Sequence, residues 1–465
     1  MKFLLPIKNL KNQSQNKKII IYCFSITALL SAIISFYLNI NLSVINLDSV
    51  FKNVADSASN EYLFKEFGIK TKDGGAANDL KNHWHYIQIL RENLTNLFVY
   101  EFGKDHKVLS YPLHHIIISQ LPIIGSQIKF YLISFFGVSL FLPVLFYKCL
   151  IIRFPKVEKI KLLNVASLVY ILPAYQYSAI WGNPHITALF FLLFSIYFFL
   201  KLENLNYKIT KYFYYSVIFL ALAAYTKQFY VFLFPFLLWI YYRETQFILF
   251  IKIIIFTFLL GLPGVFFLLK NPILYQGLKQ DITNFSSAIL ISSSIIFFYI
   301  LPFTFQLIIN NSNKIKFIIF EIFKIKYFFF ISVLFFALSL SFYYSGGEVG
   351  GGIFYKISNS IFKNNYIFFM TSYLGLYLIL FYNKKNISNY LLSILLLITF
   401  STGIYIFQKY FEPMFFFIFF LMMQSSIPKI FLKNIKNIYF LFFYLGMYLV
   451  TAIINDVYQI TKTVL

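Results

Sequence analysis

Between Asp79 and His115 the chain gathers side chains that titrate. His83, His85, His106, His114 and His115 are five of its six histidines, and nine of its seventeen acidic residues lie between Asp48 and Asp105. A general base must come within hydrogen-bonding reach of the proton it takes, so the useful carboxylates are those held at the edges of ordered elements. Asp79 follows the Gly74-Gly75 turn and Asp105 lies in the turn before Pro112, which makes these two the candidate catalytic residues. Metal is less favoured by the spacing. His83 and His85 are two apart, which suits neither a helical ligand pair nor a zinc motif, and only one of the adjacent His114 and His115 can face a site. Interfacial histidines beside a Trp84 anchor are the plainer reading; no metal ligands are assigned, and a divalent ion stays open as a cofactor.

Two cations suit an anionic ligand. Lys227, in the short TKQ segment, and Arg91 can meet a lipid-linked phosphate by charge-assisted hydrogen bonds, or Lys227 can simply snorkel at a helix end. Tyr410 and Glu412 of QKYFEP are placed to line the same cavity. The glycines of SGGEVGGG let backbone approach a ligand or form a flexible loop.

The rest of the chain must hold these residues at a membrane. Its 465 residues are 59% hydrophobic with mean hydropathy +0.72, whereas soluble domains run at about 45–50% apolar. The formal charge of +23 would suggest nucleic acid in a soluble protein, but the lysines punctuate apolar spans, so no nucleic-acid partner is expected. Cys23 and Cys149 lie in apolar stretches and read as neither disulfide nor nucleophile.

The expected fold is an all-α polytopic membrane protein of about thirteen transmembrane helices, each near the ~17–25 residues that a bilayer requires. The spans fall at 19–41, 127–151, 160–179, 184–201, 211–226, 228–242, 248–269, 286–309, 326–344, 365–382, 388–407, 412–427 and 438–457. Residues 1–18 form a basic cytoplasmic start, and 19–465 one transmembrane domain; no small-residue cleavage site follows the first apolar run, which reads as an uncleaved helix. Every second connection is basic: Lys148 to Lys161, Lys201 to Lys211, Arg243, Lys314 to Lys326, Lys384-Lys385 and Lys429 to Lys436. These connections belong inside. The opposite set comprises the large loop 42–126, WGNPH (181–185), TKQ (226–228), 270–285, SGGEVGGGIFYK (345–356) and QKYFEP (408–413). It holds the unusual polar residues. Within 42–126, the spacing of Trp84, Ile87, Leu90, Leu94, Leu97 and Phe98 predicts an amphipathic surface helix over 83–98, with a second short helix over 113–121.

A many-span chain with acids and surface helices in a large first outer loop resembles the GT-C superfamily of polyprenyl-phosphate-sugar-dependent membrane glycosyltransferases. A narrower resemblance is to the dolichyl-phosphate-glucose-dependent alpha-1,2-glucosyltransferases. His85 and Gln88 keep the H-x-x-Q spacing of that family's D-E-x-F-H-x-P-Q motif. Asp105, Lys107, Val108, Ser110 and Pro112 fall without a gap on its W-D-P-x-I-T-T-x-P-G-L-Y, and Lys227-Gln228 on the Arg-Gln of F-R-Q-T-N. The family's acidic pair falls here on Lys81-Asn82, leaving Asp79 as the nearest carboxylate.

The resemblance implies transfer of a hexose from a polyprenyl-phosphate donor to a lipid-linked or surface glycan acceptor. Asp79 or Asp105 would be the base; His83, His85, Gln88, Arg91, Lys107, His114, Lys227, Gln228 and Tyr410 would bind substrate. The partners are then the sugar donor, a glycan or glycolipid acceptor and membrane lipids. The chain carries no retention tail, which points to a bacterial inner membrane, with the N-terminus cytoplasmic and the site periplasmic. A transporter or flippase is the contrasting class, and it requires ionisable groups at mid-membrane that the spans mostly lack. A polysaccharide polymerase shares the composition, but its large outer loop belongs nearer the C-terminal half.

Overall fold

The computed structural model describes residues 76–99, 111–271, 282–310, 325–344, 350–383, 386–401 and 405–464. The expected first span at 19–41, and Asp105, His106 and Lys107, lie outside them.

Among the described residues the chain is helical throughout, without a strand. Six helices are long and apolar enough to cross a membrane: Phe130–Arg153, Pro184–Asn204, Phe247–Lys270, Asn284–Ile309, Tyr366–Asn383 and Ile435–Ile454. A seventh exists if Gln408–Met422 and Ser426–Lys433, bent by 97°, form one span. The chain is a helical membrane protein; the first of the thirteen expected spans lies outside the described residues, and six or seven of the other twelve are long apolar helices.

Prolines account for much of the difference. The expected span 160–179 breaks at Leu172, whose ψ of 118° is the extended backbone that a following proline imposes, here Pro173. The region 211–242 forms one 15-residue helix, Thr210–Ala224, then a 3-10 turn, Gln228–Leu233, and a short helix, Phe234–Glu244, with Pro235 in its first turn. The expected span 388–407 stops as a helix at Ile398.

The elements that matter here are α1 (Ala76–Glu92), α2 (Leu113–Ser119), α3 (Pro184–Asn204), α4 (Thr210–Ala224), α5 (Ile282–Asn310), α6 (Tyr366–Asn383) and α7 (Ile435–Val464). The expected surface helix starts earlier than 83 and ends at Glu92; Leu80, Trp84, Ile87 and Leu90 form its buried face, whereas Leu94 and Phe98 beyond it are exposed.

Helix α5 is the axis of the bundle: its apolar window is 83% buried, against 11% for Phe247–Lys270, whose Phe258, Leu259, Val265 and Leu269 face outward as a lipid-facing helix would. Because lipid tails are as apolar as leucine, helices in a bilayer associate through close packing of small residues. Ser292, Ser293 and Ser294 of α5 and Ser372 and Gly375 of α6 are all inside this contact. A Cβ on Gly375 would stand 1.9 Å from the Ser293 carbonyl oxygen, so only glycine allows the backbones this approach.

The two sets of connections meet at opposite ends of α3. His185, at its start, reaches the Glu412 carbonyl at 3.0 Å. Glu203, at its end, receives Arg153 at 2.8 and 2.9 Å. At ~1.5 Å per residue the two are about 27 Å apart. The basic end also joins Gln424 to Glu203, Asn386 to Gln424 and Arg243 to Ser388. A cavity of about 330 Å³ opens there between Tyr207, Arg243, Asn386 and Gln424.

Candidate functional site

The other end carries the candidate site. On α1, Asp79 and His83 are one turn apart, so both side chains leave the helix on the same face. The Asp79 carboxylate accepts from the Lys409 ammonium at 3.2 Å, joining the first outer loop to the QKYFEP strap. His83 Nδ1 lies 2.9 Å from His115 Nε2, which ties α1 to α2.

Glu412 anchors the strap. Its buried carboxylate accepts from the Ala174 backbone N–H at 2.9 Å and from the hydroxyl of Tyr299 on α5, and Tyr448 on α7 lies within electrostatic reach of it. The Glu412 carbonyl accepts from His185 Nε2, and Gln408 donates to the Tyr299 hydroxyl at 2.9 Å. Gly351 N–H donates to the Ile406 carbonyl at 2.9 Å, so the glycine-rich segment approaches backbone here.

Lys227 stands where α4 ends. Its N–H closes the helix on the Ala223 carbonyl, and its extended backbone leads into the 3-10 turn at Gln228. The ammonium acts electrostatically on His83, His114, His115, His185, Asp79 and Lys409, yet forms no hydrogen bond among the described residues. Burial, and then the like charge of Lys409, draw its pKa from 10.5 down to about 8, with Asp79 opposing. Burial and then Lys227 hold His115 down to about 3, while burial, His115 and Lys227, in that order, hold His83 well below the usual histidine range.

Among the expected residues, Asp79, His83 and Lys227 come together, and Tyr410 lies within electrostatic reach of Asp79, stacked on Phe400. His114 has another task. Tyr131 donates its hydroxyl proton to the Gly182 carbonyl, so it accepts from His114 Nε2–H at 3.0 Å; the opposite nitrogen, Nδ1, accepts from Thr187 at 2.9 Å. Both ring nitrogens are thus used in holding α2 to WGNPH. Gly182, at φ +62°, sits against Tyr131 where a Cβ would come within 2.6 Å.

Arg91 and Gln88 are likewise structural. They donate to the carbonyls of Pro122 at 3.0 Å and Gly125 at 2.9 Å, clamping α1 on the turn after α2. His85 is exposed on α1. Gln228 is half-buried at the start of the 3-10 turn. Among the described residues no three His, Cys, Asp or Glu side chains gather as a metal-holding group.

Sequence reasoning placed Glu412 beside Tyr410 as a cavity-lining residue, whereas its carboxylate is buried and spent on holding the strap, and it assigned no role to Lys409. It gave none to His185 or Tyr299 either. The available signal was Glu412 itself, an acid entering an apolar run, since such residues are costly unless paired. Trp181 Nε1, His185 Nδ1 and Gln408 Oε1, all buried, have no hydrogen-bond partner among the described residues.

No protein-family model matches the chain, and no curated protein or solved structure is similar enough to count as a match.

Proposed function

We propose that the chain is a GT-C-type glycosyltransferase that moves a hexose from a polyprenyl-phosphate donor to a glycan or glycolipid acceptor at one membrane face. The observation that supports this reading is the meeting of one carboxylate, Asp79, with two ammoniums, Lys409 and Lys227, the latter without a hydrogen bond among the described residues, at a single end of an apolar bundle. Asp79 takes the proton of the acceptor hydroxyl as its oxygen attacks the anomeric carbon. The bond from that carbon to the phosphate oxygen breaks, and the polyprenyl phosphate leaves with one more negative charge than it carried as the diester. Lys227 stabilises that added charge, in a site where little water competes. Lys409 exchanges its contact with Asp79 for the phosphate, which frees the carboxylate to act.

The positive-inside pattern supports a cytoplasmic N-terminus with this end on the opposite face, which in a bacterial inner membrane is the periplasmic one. Placement of the polar groups at an end rather than along mid-span favours chemistry at a face over passage of a polar head through hydrocarbon.

The test is transfer by the purified chain in membranes, offered polyprenyl-phosphate hexoses and, separately, nucleotide sugars, with and without a chelator. Transfer from the polyprenyl donor, abolished in Asp79→Asn and Lys227→Met, is the expected result. Transfer that survives Asp79→Asn but not Asp105→Asn moves the base to Asp105. Transfer from nucleotide sugars alone overturns the reading.

A further inference from the structure

The cavity at the basic end is lined by groups of two kinds. Asn386 and Gln424 have their hydrogen bonds. Asn386 accepts from the Ser388 and Asn389 backbone N–H groups at 3.0 and 3.3 Å and donates to Gln424, which donates in turn to Glu203. Ser388 is different, although it is only 2% exposed. Its hydroxyl oxygen receives Trp239 Nε1 and the Arg243 guanidinium, each at 3.2 Å. Both partners only donate, so they occupy the lone pairs of the hydroxyl and leave its proton without an acceptor among the described residues. Arg243 is otherwise exposed and keeps further N–H groups for the same acceptor. Glu244, also exposed in the lining, forms no ion pair among the described residues. Tyr207 enters the lining from the turn after α3, at a φ of +59° that bulky residues rarely adopt. Arg153, Arg243, Glu203 and Glu244 all act electrostatically on it. Two cations and two carboxylates balance, so the cavity offers both signs and favours neither.

We propose that this cavity takes the phosphoethanolamine headgroup of a lipid from the leaflet at the basic end. The phosphate accepts from the Arg243 guanidinium and the Ser388 hydroxyl, as charge-assisted hydrogen bonds, and the ammonium donates to Glu244. A purely anionic headgroup would meet Glu244 as a like charge, and a choline headgroup has no N–H to give it. The space of about 330 Å³ suits a headgroup rather than one water, whose share of the liquid is about 30 Å³. The surroundings suit a lipid rather than a soluble phosphate. Tyr207 lies three residues past the end of α3, Ile387 of the lining is 58% exposed, and Tyr242 beside Arg243 faces outward, as aromatic and apolar side chains do at a bilayer boundary. Pockets between spans at this level are where headgroups bind. None of this depends on glycosyl transfer.

The experiment titrates the full chain, delipidated in detergent, with phosphatidylethanolamine, phosphatidylcholine and phosphatidylglycerol of the same acyl chains, and with chain-free glycerophosphoethanolamine. Bound molecules are counted by native mass spectrometry. Phosphatidylethanolamine is expected to bind about tenfold more tightly than the other two lipids, the size of one hydrogen bond to a charged group, and glycerophosphoethanolamine more weakly still. Arg243→Gln weakens all three lipids, since all carry the phosphate. Glu244→Gln weakens phosphatidylethanolamine and tightens phosphatidylglycerol, a reversal that a merely structural role would not produce. Both side chains are exposed, so the unfolding midpoint without lipid is expected to stay unchanged in each variant. Equal binding of the three lipids, or an unaltered preference in Glu244→Gln, would overturn the proposal. Glycerophosphoethanolamine binding as tightly as the lipid would overturn the lipid as its source.

Discussion

The two ends of the bundle hold similar residue types in opposite states. At the basic end Arg153 places its guanidinium on both oxygens of Glu203, and Gln424 donates to one of them as well. At the other end Asp79 has one lysine contact, Lys227 has no hydrogen bond among the described residues, and Trp181 Nε1, His185 Nδ1 and Gln408 Oε1 are buried without partners. A polar group that has lost water without gaining a partner is destabilising, and a ligand can supply what is missing. The number of ion pairs does not distinguish a strut from a site. Whether the charged group itself has its hydrogen bonds filled does, as it does for Glu203 and does not for Lys227.

Substitutions should separate the two ends cleanly. The largest effect is expected for Asp79→Asn, a fall of about 10²–10⁴ in transfer rate, the usual contribution of a positioned general base, with the thermal unfolding midpoint in detergent unchanged or raised. A drop in stability of the same order as the drop in rate would make Asp79 a strut like Glu203. Next comes the axis that carries both ends. Gly375→Ala drives a methyl group into the Ser293 carbonyl, and overpacking of this kind costs about 3 kcal/mol, read as a lower unfolding midpoint. Arg153→Met leaves the Glu203 carboxylate without its fork and costs about 2 kcal/mol, also read by unfolding, while affinity for a polyprenyl-phosphate sugar stays the same. Weaker sugar-phosphate binding in Arg153→Met would blur the comparison.

The smallest effect is on pH dependence. The free Lys227 ammonium loses its proton near pH 8, and the anionic phosphodiester needs the charged form. Affinity should be flat below pH 8 and fall by up to about tenfold per pH unit above it, where an ordinary lysine would hold until about 10.4. The sign follows from linkage: a bound anion raises the pKa of Lys227, so binding takes up a proton and weakens as protons become scarce. A flat profile to pH 10 would mean that Lys227 does not contact the anion.

The grouping into two ends was legible in the sequence. Alternation of basic connections put Arg153, Arg243 and Lys433 in one set and Asp79, His185, Lys227 and Glu412 in the other, and contacts in the structure join residues within each set. Span count was less legible, because hydropathy does not register a chain break: the helix stops at Leu172-Pro173, yet runs through the equally apolar Leu262-Pro263 and Leu301-Pro302. Roles of single residues depended on partners far along the chain. Nothing near His114 in sequence foretells that Tyr131 and Thr187 occupy both its nitrogens, or that Arg91 reaches back to the Pro122 carbonyl. The same holds for Lys409, an ordinary basic residue until α1 brings Asp79 beside it.

The contact between Asp79 and Lys409 closes across 330 positions of sequence, and this bears on how the protein is made. While the chain is being synthesised, the carboxylate is present from early on and remains in contact with water until the strap emerges and folds against α5. The strap is held by Tyr299 of α5, against which α7 packs through Tyr444 and Tyr448 on Phe298, so a nascent chain that stops before α7 lacks part of that support. Completion of the site therefore reports completion of the molecule: a prematurely terminated product can enter the membrane through its apolar helices, but it does not carry the assembled pocket.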